Sequence, residues 1–141
     1  MIPRAVMTTP DLVERRVSPA VEGFLQALAA LGGAETTVTT SRLAAALGIR
    51  DPSVTTMAKR LHELGLVDHT PYHGLRLTPA GEEVAGGVVR RHLLLERALT
   101  TTLGLTPDEA HTEAEHLEHA VGPSLEARLL QAAAAPPGNV G

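Results

Sequence analysis

The sequence predicts a mainly α-helical fold carrying one small β wing, and three observations predict it. Apolar residues recur at three- and four-residue steps through most of the chain, and the periodic runs open on capping residues and mostly close on glycine. Only Leu66 to Leu77 breaks into short β-prone runs, around a Pro/Gly turn. With 141 residues and 43% apolar side chains, the chain can bury the core of one ordinary domain or two small ones. There is no cysteine, which removes disulfides and thiolate zinc sites, so any metal must be held by nitrogen and oxygen. No apolar run approaches the roughly 18 residues of a bilayer span, and the N-terminus lacks a secretory pattern, so a cytoplasmic protein without membrane attachment is expected.

Residues 1–17 hold Pro3, Pro10 and scattered charge without a clean period, and read as a mobile arm. Ser18-Pro19 is an N-cap with proline at the first helical position. Val21, Phe24, Leu25, Leu28 and Leu31 then trace a first helix that Gly32-Gly33 stops. Thr39 to Gly48 is a short alanine-rich helix. A second short helix restarts near Pro52 or Ser53 and buries Val54, Met57, Ala58, Leu61 and Leu64 on its way to Gly65. The hairpin follows. Thr78-Pro79 opens a long helix to about Leu103, ended by Gly104, and Thr106-Pro107 opens another expected to run to Gly122-Pro123. A last helix spans Ser124 to about Ala135, and residues 136–141 read as a disordered tail.

Two short helices joined by a tight turn and followed by a hairpin form a winged helix-turn-helix, expected over residues 18–79. A helix entering the major groove needs small polar residues near its start, because bulky ones hold it off the base edges. Ser53, Thr55 and Thr56 meet that need. Arg50, Lys59 and Arg60 suit phosphates, and the wing offers Tyr72, His73 and Arg76 to a flanking minor groove or backbone. The plainer alternative is a protein-contact module in which Ser and Thr only cap helices. Charge is divided along the chain. Up to Pro79 eight Arg or Lys stand against seven Asp or Glu, a balance of +1, and from Ala80 four stand against nine, a balance of −5. Acids gathered around a cation site would lose their repulsion for phosphate once the cation binds.

The acids of the second half are patterned with histidines. At about 100° per residue, Ala110, Ala114, Leu117 and Val121 define an apolar stripe, and His111, Glu115, Glu118 and His119 fall on its flank. His92 and Glu96, an i, i+4 pair on the preceding helix, can face that flank. Imidazole and carboxylate without sulfur suit Mn2+ or Fe2+, while Zn2+, Co2+ and Ni2+ remain chemically able to bind. Glu113 and His116 point elsewhere and read as surface residues. The plainer alternative here is a solvated helix face.

Pro52-Ser-Val-Thr-Thr-Met57, Tyr72-His-Gly-Leu-Arg-Leu-Thr78, Arg91-His-Leu-Leu-Leu-Glu96 with Gly104-Leu105, and Glu115-His-Leu-Glu-His119 occur in one order. Together, from about Ser18 to Leu129, they resemble the diphtheria-toxin-repressor family of metal-dependent transcription regulators, most closely its short manganese-responsive members. The resemblance implies a homodimer on a palindrome of double-stranded DNA, and a helical metal-binding and dimerisation domain over residues 80–135. It implies that His92, Glu115 and Glu118 belong to a main metal site, His119 to it or its neighbour, and Glu96 with His111 to an ancillary site. Glutamate at position 115, where iron-type members have a sulfur ligand, leans toward manganese. The third domain of the longer iron-type members is expected to be absent, since the chain stops near the end of the dimerisation helices. One departure stands out. The family's first helix supplies a ligand just before its aromatic residue, and manganese-type members add an acid three positions later; Gly23 and Gln26 occupy those places here. Glu22 or Gln26, or Asp11 or Glu14 from the arm, are the candidate substitutes, with water as the remaining option. The expected function is a Mn2+- or Fe2+-dependent repressor of metal-uptake or metal-homeostasis genes. Its rivals are a winged-helix regulator that has lost metal control and a metal-dependent hydrolase, the latter disfavoured by ligands on packed helices without a nucleophile motif.

Overall fold

The computed structural model describes residues 17–134. Among them stand six helices and a two-stranded antiparallel sheet. The chain divides into two compact units inside its longest helix, after Gly86. The arm and tail expected at the ends lie outside the described residues, except Val17, which is half-buried against the first unit's core.

The first unit contains α1 (Pro19–Ala30), α2 (Thr40–Leu47), α3 (Asp51–Glu63), β1 (Val67–Thr70), β2 (Gly74–Leu77) and the first turns of α4 (Pro79–Leu103). Local chemistry sets most boundaries. The Ser18 hydroxyl accepts from the Val21 N–H at 3.3 Å, and the Thr39 hydroxyl from the Arg42 N–H at 3.2 Å, each satisfying an orphan donor of its helix. Gly48 closes α2 in the left-handed conformation at φ +68°. α3 starts one residue before the expected Pro52, on an Arg50 cap that makes no side-chain bond. Instead the Ser41 hydroxyl donates to the Asp51 carboxylate at 2.8 Å, linking the first turns of α2 and α3.

The strands pair in the register Val67↔Leu77 to Thr70↔Gly74. A third segment joins them, since Val38 and Leu75 exchange both backbone hydrogen bonds, at 2.8 and 2.9 Å. That approach dictates Gly74, where φ is +123° and a Cβ would stand 2.2 Å from the Val38 carbonyl oxygen. Thr78 turns the chain into α4. Its hydroxyl donates to the Gly65 carbonyl at 2.6 Å and accepts from the Gly81 N–H at 3.1 Å, so the end of α3 and the start of α4 share one buried side chain. The core beneath is aliphatic apart from Phe24, with Leu25, Leu28, Leu43, Leu61, Leu66 and Leu75 all fully buried, each contributing roughly 1.5–3 kcal/mol of transfer free energy.

The second unit holds the rest of α4, α5 (Pro107–Leu117) and α6 (Pro123–Ala134), packed on Leu95, Ala114, Val121 and Leu129. Gly104 ends α4 at φ +70°. α5 opens on a capping box in which Thr106 and Glu109 satisfy each other's backbone N–H groups, at 3.2 and 2.9 Å. That carboxylate is held below its usual pKa by the Thr106 N–H. α5 is shorter than the expected run to Gly122. It ends at Leu117 with Glu118 as C-cap, and a turn carries the chain through Ala120. Glu118 and His119 therefore leave the helix rather than continuing its flank. Of the anticipated apolar stripe, Ala110, Ala114 and Val121 are buried, while Leu117 remains 40% exposed. No described helix is long and apolar enough to cross a membrane.

Candidate metal centre and nucleic-acid interface

The acids and histidines of the second unit meet between α4 and α5. His92 and Glu96, one turn apart on α4, face His111 from the first turns of α5. One ligand atom from each of these three residues lies within 4.8 Å of the other two. In a coordination shell with bonds of about 2.1 Å, neighbouring donors stand about 3 Å apart. Here His92 Nε2 is 3.1 Å from His111 Nδ1, and His111 Nδ1 is 2.9 Å from Glu96 Oε1. Glu96 Oε1 also meets His92 Nε2. Two imidazoles and one carboxylate converging at donor-to-donor spacing fit a first-row divalent ion such as Mn2+, Fe2+ or Zn2+. Glu96 is held below its usual pKa, chiefly by the hydrogen bond from His111, and the same bond raises His111.

The other anticipated ligands extend this cluster at both ends. Glu115 Oε1 lies 3.0 Å from His111 Nε2. Glu118, only 7% exposed, places Oε2 2.7 Å from His92 Nδ1, and Oε1 3.5 Å from His119 Nε2. The six residues thus form one continuous chain in which His92 and His111 each use both ring nitrogens. The grouping differs from the sequence expectation: His92 stands with Glu96 and His111 and reaches Glu118 through its other nitrogen, while Glu115 meets His111. Glu113 and His116 are exposed, as expected.

Glu22, Gly23 and Gln26 lie on α1, in the first unit. Glu22 is buried at 2% exposure, Gln26 is half-buried, and a Cβ at Gly23 would meet nothing within 4 Å. Asp11 and Glu14 fall outside the described residues. A residue that the sequence reading passed over is Arg91. It is 5% exposed, and its Nε donates to the Glu118 carbonyl at 2.7 Å. The signal was present, because Val84, Val88, Arg91 and Leu95 are at helical spacing and all buried, which sets a permanent cation inside an apolar stripe.

In the first unit the anticipated DNA-contacting residues cluster on α3 and the wing. Arg50, Ser53, Thr56, Lys59 and Arg60 are exposed and Thr55 half-exposed. The Thr55 and Thr56 hydroxyls donate to the Asp51 and Pro52 carbonyls at 3.2 and 3.0 Å. Their protons are spent on the helix, so they offer lone pairs and methyl groups to a groove, suited to base amino groups and thymine methyls. A cleft of about 380 Å³ separates α3 from the wing, lined by Thr39, Thr55, Lys59, His69, Tyr72 and His73 among others. Tyr72 is fully exposed at the wing tip, next to exposed His73. Arg76 is less available than expected, since its Nη2 donates to the Glu35 carbonyl at 2.9 Å.

The model of the iron dependent repressor N-terminal DNA binding domain matches residues 16–75, and that of the metal binding and dimerisation domain matches residues 78–137. An uncharacterized HTH-type transcriptional regulator of Methanocaldococcus jannaschii is 40% identical over 92 residues, 65% of this chain and 74% of the relative. The chain belongs to the iron-dependent repressor family. The transcriptional regulator MntR of Salmonella typhimurium is 42% identical over 79 residues, 56% of this chain and 50% of that protein. The crystal structure of ScaR with bound Zn2+ superposes with a TM-score of 0.72 at 34% identity, covering 84% of this chain and 55% of the other. This family member therefore spans about half the length of MntR and ScaR.

Proposed function

We propose that this chain is a metal-dependent, DNA-binding transcriptional regulator that represses metal-uptake or metal-homeostasis genes as a cytoplasmic homodimer. The observation that carries the proposal is the convergence of His92, Glu96 and His111, on a chain whose other half is a winged helix-turn-helix. These three residues would hold one ion, with Glu118 bracing His92 and Glu115 bracing His111 through the ring nitrogens that face away from it, and His119 beside Glu118. Bound there, a Mn2+ or Fe2+ ion would supply a fixed positive charge among these rings and carboxylates. His92 and Glu96 present their donors from α4, and His111 from α5, so the two helices are fastened to each other by the donor set itself. In the reader, Ser53, Thr55 and Thr56 face base edges while Arg50, Lys59 and Arg60 take phosphates on a palindromic duplex.

The test is a titration of the purified chain against duplexes selected from a random pool, with Mn2+ and with chelator, repeated with Glu118→Ala. The expected result is tighter binding with Mn2+, by roughly 5- to 150-fold for a coupling of about 1–3 kcal/mol, and a smaller gain in the variant. Identical affinity in every condition would sink the metal switch. It would favour a regulator without metal control, the reading that Gly23 and its open surroundings support.

A further inference from the structure

Arg91 and His92 are successive residues on α4, and both grip Glu118. Arg91 Nε donates to its main-chain carbonyl at 2.7 Å, and His92 Nδ1 meets its carboxylate at 2.7 Å. Successive helical side chains diverge by about 100°, so one residue can be reached by both only if one takes the backbone and the other the side chain. The carbonyl concerned is at the end of α5, where Glu118 is the C-cap and the last carbonyls lack helical partners. In a continued helix the Glu118 carbonyl would accept from the N–H four residues on, at Gly122. The guanidinium, always charged and rich in donors, takes that acceptor instead and sits favourably against the negative end of the helix dipole. The last i→i+4 bond of α5 is the Glu118 N–H on the Ala114 carbonyl, so Arg91 caps the turn that follows the helix. Gly87, one turn before Arg91, makes the room: a Cβ there would stand 3.3 Å from Arg91 Nη1.

We propose that Arg91 is a positioning residue of the metal centre, fixing the Glu118 backbone so that its carboxylate braces His92 Nδ1 while Nε2 of that ring faces an ion held with Glu96 and His111. The proposal rests on the reading of His92, Glu96 and His111 as metal ligands. A carboxylate that orients a ligand imidazole does so only if its own backbone and rotamer are locked, and here the two locks come from neighbouring residues of one helix.

The experiment measures Mn2+ affinity of the full chain, from the free-ion electron paramagnetic resonance signal, for wild type, Arg91→Lys, Glu118→Gln and the double variant. Circular dichroism checks the fold of each. Lysine preserves the charge but not the Nε bond, so Arg91→Lys should weaken Mn2+ binding by about tenfold, in the range of outer-shell substitutions. Because Arg91 acts through Glu118, the double variant should bind no more weakly than Glu118→Gln alone. A purely structural role would instead give losses that multiply, and multiplying losses, or wild-type affinity in Arg91→Lys, overturn the proposal. If Arg91→Lys fails to fold, Gly87→Ala, which presses on Nη1 within a helix, replaces it with the same criterion. A wild type that binds no Mn2+ fails the metal reading itself and takes this proposal with it, a result distinct from a wild type that binds and is indifferent to Arg91.

Discussion

Tyr72 is the described non-glycine residue at positive φ, +67°, in a turn closed by the His73 N–H on the Thr70 carbonyl at 3.0 Å. With Pro71 before it, this is the geometry of a type II turn, whose third position favours glycine. Placing tyrosine there costs of order 1 kcal/mol, and its ring is fully exposed, so no packing among the described residues offsets the strain. Strain without internal compensation points to a contact outside the chain. Tyr72→Gly should therefore raise stability by up to about 1 kcal/mol in urea unfolding and weaken DNA binding in the same preparation. Unchanged DNA affinity would remove Tyr72 from the interface. His69, beneath it, has its pKa lowered by burial first and then by His62 and Lys59. Its backbone N–H also donates to His62 Nδ1 at 3.2 Å. The folded state thus holds this proton less well than the unfolded chain, whose histidine titrates near 6.5. The stability that neutral His69 gives is complete above that value and is lost as pH falls from it through the lowered folded pKa. In thermal melts between pH 7.5 and 5, wild type should lose ground to His69→Gln as the medium is acidified. A constant difference would mean that His69 titrates alike in both states.

At the scale of elements, what could be read in the sequence follows from where each signal acts. Ser18, Thr39 and Thr106 cap their helices through neighbours three residues away, so α1, α2 and α5 begin where sequence alone places them. α3 begins on Arg50 without a side-chain cap, so no local signal marks its first residue. The Arg91 bond on Glu118 and the pairing of Val38 with Leu75 join partners 27 and 37 residues apart, and no local pattern reports them. The candidate ligands were legible as a set because carboxylates and imidazoles recur at helical spacing. Their pairing was not, because it depends on how α4 lies against α5. The same limit explains Leu117, expected in the core yet exposed. It lines a groove of about 580 Å³ with Leu99, Leu103 and Leu105, in a domain whose family description includes dimerisation. The occupant this predicts is a second copy of the chain. Leu103→Glu, on a side chain 67% exposed in the monomer, should weaken the dimer by at least about tenfold, or 1.4 kcal/mol, in sedimentation equilibrium, with helicity unchanged. A dimer of unaltered affinity would place the interface elsewhere.

For the whole molecule, the separation of chemistry between the two units sets the terms of any coupling. The candidate ligands on α4 and α5 lie after Gly86, and the reader residues before it. α4 runs unbroken through both units, about 37 Å at 1.5 Å per residue, and carries His92 and Glu96 in its second part. An ion bound at these residues can influence DNA by two routes, and salt separates them. Neutralising the acidic second half acts through solvent, and screening by about 8 Å at 0.15 M ionic strength should erase most of it. Stabilising one arrangement of helices acts through packing and survives salt. Thermodynamic linkage adds a constraint on either route: the factor by which Mn2+ tightens DNA binding must equal the factor by which DNA tightens Mn2+ binding. The expected outcome is that the two factors, measured by DNA titration at saturating Mn2+ and by Mn2+ titration at saturating duplex, agree at 0.15 M salt and exceed one. The Mn2+ dependence should persist when salt is raised further, while absolute DNA affinity falls steeply as counterion release requires. A gain from Mn2+ that vanishes with salt would assign the effect to charge alone. Unequal factors would mean that the ion sensed by DNA is not the one held by His92, Glu96 and His111.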